Sequence, residues 1–245
     1  MTKDKYKDQD QPKTDGTKKR AKTPRKRVNV HTAKKRSHSS TLWLERQLND
    51  PYVKEARKKG YRSRAAFKLA ELDDQLKFLK PGQFVVDLGA APGGWCQVVA
   101  ERTKPLQSGG KIVAIDYLDM APIDGTIIFK HDFTADDAPE LLKKALGGEA
   151  DIVLSDMAWP TTGHKQTDHL RIIALLEMAY DFAVDVLKPN GVFIAKVFQG
   201  GSVNDVLNLM KKDFEKVKHV KPKASRADSA EIYVVAMGFR KETSS

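Results

Sequence analysis

Apolar positions are sparse over the first 36 residues, where Tyr6 is the one aromatic and almost no aliphatic side chain precedes Val28. Residues 40–60 mix apolar and basic side chains and predict a short helical extension with a basic face. Leu69, Leu72, Leu76 and Leu79 then recur at spacings of three and four, the period of an amphipathic helix. Ser63 is the expected N-cap of that helix, and Lys80-Pro81-Gly82 its stop. Beyond it the period changes. Residues 84–89, 112–116, 127–132, 152–156 and 192–196 are β-branched runs too short to be buried helices, and they read as strands. Helical patterns separate most of them, and 168–187 and 202–213 are amphipathic. The end of the chain differs: 216–220 and 232–239 are strands with only a loop between them, a hairpin at one edge of the sheet. Strand–helix alternation of this kind predicts an α/β fold built on a doubly wound, parallel sheet.

Length and charge sharpen that picture. The chain has 245 residues, room for one α/β domain of about 200 residues with extra segments. No apolar run approaches the roughly 18 residues that cross a bilayer, so no membrane association is expected. The net charge of +11 is concentrated at one end: residues 1–36 hold 14 basic and 4 acidic side chains, and the other 209 hold 29 and 28. Such a segment cannot bury enough apolar surface to offset its ordering entropy. The expected organisation is therefore a disordered basic tail over 1–39 and a folded domain over 40–245, with 40–80 as its helical extension. The run Lys18-Lys19-Arg20-Ala21-Lys22-Thr23-Pro24-Arg25-Lys26-Arg27 suits neutralisation of RNA phosphates, although it also fits a nuclear localisation signal. The tail lacks the apolar stretch of a secretory signal, and Asp4, Asp8, Asp10 and Asp15 argue against a transit peptide. Cys96 is the single cysteine, which excludes an intrachain disulfide and a cysteine-based zinc site and fits a reducing, cytoplasmic compartment. The six histidines show no metal-ligand spacing, and no metal is expected.

The candidate chemistry lies at the strand ends. Four parallel-type strands finish on Asp87, Asp116, Asp132 and Asp156, and the fifth carries Lys196. Ligands of open α/β sheets bind outside these carboxyl ends, where a row of carboxylates needs hydroxyls, amines or a cation as partners. The first strand runs into Asp87-Leu88-Gly89-Ala90-Ala91-Pro92-Gly93-Gly94-Trp95, whose small residues let backbone approach a ligand closely. A dinucleotide fingerprint needs glycine where Ala91 stands, and Pro92 removes an amide that a pyrophosphate cradle uses, so an NAD-dependent oxidoreductase is disfavoured. Asp116, about one β-α-β step later, is placed for ribose hydroxyls. An adenosyl ligand with a sulfonium and no phosphate, S-adenosylmethionine (SAM), meets these requirements. Some residues read two ways: Trp95 as core filler, Asp132 as a helix cap, Glu231 as an edge charge and Lys68 as a surface lysine. Lys196, inside an apolar strand, is harder to explain structurally.

The glycine loop, Ser155-Asp156-Met157-Ala158 and Lys196 together resemble the FtsJ/RrmJ family of ribosomal RNA ribose 2′-O-methyltransferases. So do Arg62-Ser63-Arg64-Ala65-Ala66-Phe67-Lys68-Leu69, similar to that family's entry helix, and Arg226-Ala227-Asp228-Ser229-Ala230-Glu231-Ile232-Tyr233, similar to its last motif. The resemblance runs in order from about residue 40 to 240 and leaves the basic tail outside. It implies a Rossmann-like methyltransferase fold with a seven-stranded, mostly parallel sheet and a C-terminal antiparallel hairpin strand. It also implies a catalytic set of Lys68, Asp156, Lys196 and Glu231, with Lys196 as general base. SAM contacts would come from Asp87, Gly89, Gly93, Trp95, Asp116, Asp132 and Asp156. The implied substrate is a 23S rRNA ribose, a uridine of the A-loop in the 50S particle, with the enzyme a monomer. The chain departs from the family at Trp159-Pro160-Thr161-Thr162-Gly163, where many members carry Pro or Ala followed by Asn. Two alternatives stand beside this reading: the same chemistry on tRNA or another RNA, and a non-catalytic RNA-binding assembly factor.

Overall fold

The computed structural model describes residues 38–160, 162–199 and 204–241; residues 1–37 of the expected tail lie outside the described residues, and its last two, His38 and Ser39, open a helix. Chain contacts divide the molecule at Asn49: α1 (His38–Asn49) belongs to the first unit, and Asp50 onward forms the second. In the second unit, α2 (Pro51–Lys59) starts under Asp50, whose carboxylate accepts from the Tyr52 amide, and Gly60 ends it in the left-handed region. α3 (Ala65–Leu76) has no side-chain cap. Ser63, the expected N-cap, is instead pressed against the backbone at Gly94, and its buried hydroxyl has no partner among the described residues. The leucine stripe also outruns the helix, because Lys77 turns left-handed and Leu79 is buried from the following loop.

The sheet contains β1 (Phe84–Leu88), β2 (Lys111–Asp116), β3 (Thr126–Lys130), β4 (Ala150–Ser155), β5 (Leu187–Phe198), β6 (Phe214–Val220) and β7 (Glu231–Phe239) in the order β3-β2-β1-β4-β5-β7-β6. The first five are parallel, and β7 inserts antiparallel between β5 and β6. The connecting helices are α4 (Gly94–Thr103), α5 (Pro105–Ser108), α6 (Ala138–Leu146), α7 (Lys165–Val186) and α8 (Asn204–Asp213). Both faces of the sheet are dry, and strand alternation sorts them. Val85, Ile112, Ile152, Leu154 and Ile194 pack with α3 and α4, while Val86, Leu88, Val113, Ile115 and Val153 pack with α6 and α7. No helix among the described residues is long and apolar enough to cross a membrane.

Strand order reverses at β1, with β2 and β3 on one side and β4 and β5 on the other. The ends of β1 and β4 meet there: the Asp156 amide donates to Leu88 O at 3.2 Å. Gly89 has φ +75°, and a Cβ on it would lie 2.7 Å from Met157 Cγ and 2.9 Å from Met157 backbone atoms. The crevice at this switch point is where an open α/β sheet binds its ligand.

Candidate active site

Alternation carries three polar side chains to one place on the α3 face, where a fourth joins them from α3. Asp156 lies two residues beyond the inward-facing Leu154, Lys196 two beyond Ile194, and Tyr233 two before Val235. Lys68 reaches over from the second turn of α3. Lys196 Nζ donates to Asp156 Oδ1 at 3.1 Å and to the Asp156 carbonyl, with only 9% of its side chain exposed. Lys68 Nζ lies 2.7 and 2.9 Å from the two Glu231 oxygens, and Ser225 Oγ donates to Glu231 Oε1 at 2.9 Å. Tyr233 joins the two ion pairs: its hydroxyl donates to Asp156 Oδ1 at 2.8 Å and accepts from Lys68 Nζ at 3.2 Å. β-register makes this possible, since Lys196 pairs with Tyr233 and Phe198 with Glu231. Burial alone would push the Asp156 carboxyl up, but Lys196, Lys68 and the Tyr233 hydroxyl outweigh it and hold the pKa below the usual value. Burial, then Asp156 and Glu231, push the Tyr233 phenol well above its usual pKa, so it stays a neutral donor.

Beside this cluster opens a cleft of about 180 Å³. Gly89, Asp116, Asp132 and Asp156 line it, together with apolar Ile115, Phe133 and Met157 and the exposed Trp159. Asp116 accepts from the Ala91 amide at 2.9 Å and the Leu118 amide at 2.8 Å, so it holds the glycine loop to the end of β2 and keeps lone pairs for further donors. Asp132 closes a turn onto Thr134, with both the amide and the hydroxyl donating to it. It is not the helix cap that its position allowed, because α6 begins only at Ala138. Among the described lining residues there are three carboxylates and no Lys, Arg or His, which suits a cationic, hydroxyl-bearing ligand without phosphates.

Asp87 lies outside that lining. It is fully buried, with Oδ1 unpartnered among the described residues and Oδ2 accepting from the Cys96 thiol at 3.0 Å. Burial raises its carboxyl to about 7 against the opposing thiol bond, and Asp156 and Asp116 add to the rise. Gly93 and Trp95 also stand off the cleft wall. The Trp95 ring is 3% exposed, donates to Ala65 O at 2.9 Å and packs on Tyr233 at 5.5 Å between centroids. What the segment can offer a ligand is backbone: the amides of Gly94, Trp95 and Cys96 precede the first intrahelical bond of α4, from Gln97 N to Gly93 O. Sequence reading assigned no role to Tyr233, although its spacing of two from Glu231 on a strand marks the shared face.

The model of a family described as FtsJ-like methyltransferase matches residues 61–239. A protein of Paramagnetospirillum magneticum named ribosomal RNA large subunit methyltransferase E is 61% identical over 215 residues, 87% of this chain and 88% of that protein. A protein of the same name from Parvibaculum lavamentivorans is 59% identical over 222 residues, 87% of each chain. The fold is also similar to a crystal structure described as a ribosomal RNA methyltransferase from Plasmodium falciparum, with a TM-score of 0.65 and 35% identity, covering 73% of this chain and 98% of that one.

Proposed function

Because the chain belongs to the FtsJ-like methyltransferase family, we propose that it transfers a methyl group from SAM to a ribose 2′-hydroxyl of large-subunit ribosomal RNA, with Lys196 as general base. The observation that carries this reading is the Lys196–Asp156 pair, held by Tyr233 to Lys68–Glu231, at the rim of a cleft walled by carboxylates. The proposed acceptor is an A-loop uridine of 23S rRNA in the 50S particle, met by a monomer whose residues 1–39 add phosphate contacts outside the folded domain.

SAM supplies an electrophilic methyl group on a sulfonium. In this reading Asp116 and Asp132, which line the cleft, accept from its hydroxyls. The enzyme's first task is alignment, since an in-line arrangement of acceptor oxygen, methyl carbon and leaving sulfur can lower the barrier by several kcal/mol. Its second is to take the hydroxyl proton as the oxygen attacks. Lys196, whose Nζ is held at Asp156 beside the cleft, is the group proposed to take it. Asp156 fixes the direction of the Lys196 amine, and Glu231 holds the second ammonium, Lys68, within the same network.

Methyl-labelled SAM, incubated with 50S subunits, free 23S rRNA and tRNA from a strain lacking this protein, tests the reading. Label is expected in one 2′-hydroxyl of 23S rRNA, and Lys196→Ala should lower turnover on the order of 10²- to 10⁴-fold while SAM still binds. Wild-type turnover in that variant removes Lys196 from the chemistry. Label in tRNA keeps the reaction and changes the target. Bound SAM with no labelled RNA favours an assembly factor.

A further inference from the structure

Arg62 is a half-buried arginine in a chain whose charge suggests RNA, yet its guanidinium is already committed. Nη1 donates to Ala121 O at 2.6 Å and to Pro92 O at 3.3 Å, and Nη2 donates to Pro122 O at 2.7 Å. Pro92 belongs to the glycine loop that leads into α4, and residues 121 and 122 to the loop that leaves β2 after Asp116, Tyr117 and Leu118. One planar fork therefore ties together two loops that flank the donor cleft, a geometry a lysine cannot reproduce. The fit is close, because a Cβ on Gly93 would lie 2.9 Å from Arg62 Nη1. The backbone of Arg62 is anchored as well: its amide donates to Gln97 Oε1 at 2.8 Å, and Gln97 Nε2 donates to Gly60 O at 3.0 Å. Three residues later α3 begins, and it carries Lys68.

We infer that Arg62 is a positioning residue for SAM: it locks the Pro92 loop to the Ala121–Pro122 loop and ties the donor cleft to the helix that bears Lys68. The inference rests on the donor site proposed above and not on the identity of the RNA. It also makes Arg62 a cation with no part in phosphate binding, which separates it from the surface lysines and from the tail.

The test compares wild type, Arg62→Lys and Arg62→Ala in the full chain. SAM affinity is measured by calorimetry without RNA, and 23S rRNA affinity by filter binding over a salt series. Both variants should bind SAM at least about tenfold more weakly, the scale of one hydrogen bond from a charged group. Their RNA affinity and its salt slope should match wild type. Wild-type SAM affinity in Arg62→Lys would overturn the inference, because charge rather than the fork would then suffice. A shallower salt slope with unchanged SAM affinity would overturn it too, by making Arg62 a phosphate contact. Arg62→Lys keeps the charge and most of the side chain, so it reads the donor site even if the alanine variant folds poorly. A wild-type chain that binds no SAM would remove the donor site itself, an outcome distinct from failure of the variants.

Discussion

A carboxyl as dry as Asp87 makes stability depend on pH in an unusual direction. Its pKa rises from an ordinary 3.8 to about 7 in the folded chain, first through burial. Between those values the folded state binds a proton that the unfolded state has released. Unfolding free energy therefore falls as pH rises through this window, by at most about 4 kcal/mol at 1.36 kcal/mol per unit. Asp87→Asn, neutral at every pH, should flatten this slope. Urea midpoints of both chains from pH 4.5 to 7.5 check it, and parallel slopes would contradict it. The Cys96 thiol is pushed well above its usual range by burial and by Asp87, so it stays protonated and acts here as a hydrogen-bond donor rather than a nucleophile. Arg62 shows the same limit on reading residues singly: its charge suggests phosphate, and its partners are three carbonyls.

Among the elements, α3 does the most joining. Its N-terminal approach packs on the glycine loop, its second turn supplies Lys68, and its last turn is fastened to α4. The fastener is Asp73, 4% exposed, which accepts from the Leu79 amide at 2.8 Å and pairs with Arg102; Arg102 also reaches Asp74 at 2.9 Å. Removing one partner of such a pair leaves the other without compensation. Asp73→Ala should lower stability by about 3 kcal/mol, near the lower end of the range for buried pairs because Arg102 is partly exposed. Chemical denaturation measures it, and a loss within a few tenths of a kcal/mol would show that Arg102 finds water instead. The hairpin is the second joining element. By inserting between β5 and β6, β7 brings Glu231 and Tyr233 beside Lys196, which a strand added at the open edge would not do.

At the scale of the whole molecule, charge is concentrated at one end of the sequence. Nearly all of the +11 resides in residues 1–36, and the remaining 209 residues are close to neutral. Binding that depends on phosphate neutralisation weakens with salt in proportion to the number of phosphates engaged. A chain lacking residues 1–36 should bind 23S rRNA more weakly, with a flatter plot of log K against log salt, and should keep its SAM affinity. Filter binding over a salt series checks this; an unchanged slope would make the tail a solubiliser. The stability of the described domain should not change, because its core clusters draw on residues from Tyr52 onward.

Periodicity by itself determined the strands, the long helices, the doubly wound class and the edge hairpin, because alternation and the 3.6-residue repeat are local consequences of burying one or both faces. Element ends were less legible. Ser63 failed as a cap and Leu79 left its helix because packing against Gly94 and the left-handed turn at Lys77 outweighed local preference. The family resemblance pointed to Lys68, Asp156, Lys196 and Glu231, and of these Lys196 stood out by itself, as a charge inside an apolar strand, costly without a partner. Only the tertiary structure decided which charges are partners. Lys68 and Glu231 stand 163 residues apart, and Tyr233 earns its place only where β7 lies beside β5. The same holds for Trp95, whose ring fills the core while its backbone faces the helix end, and for Arg62, whose carbonyl partners lie 30 to 60 residues away. Contacts of that range are set by strand order and register, which no local window of sequence contains.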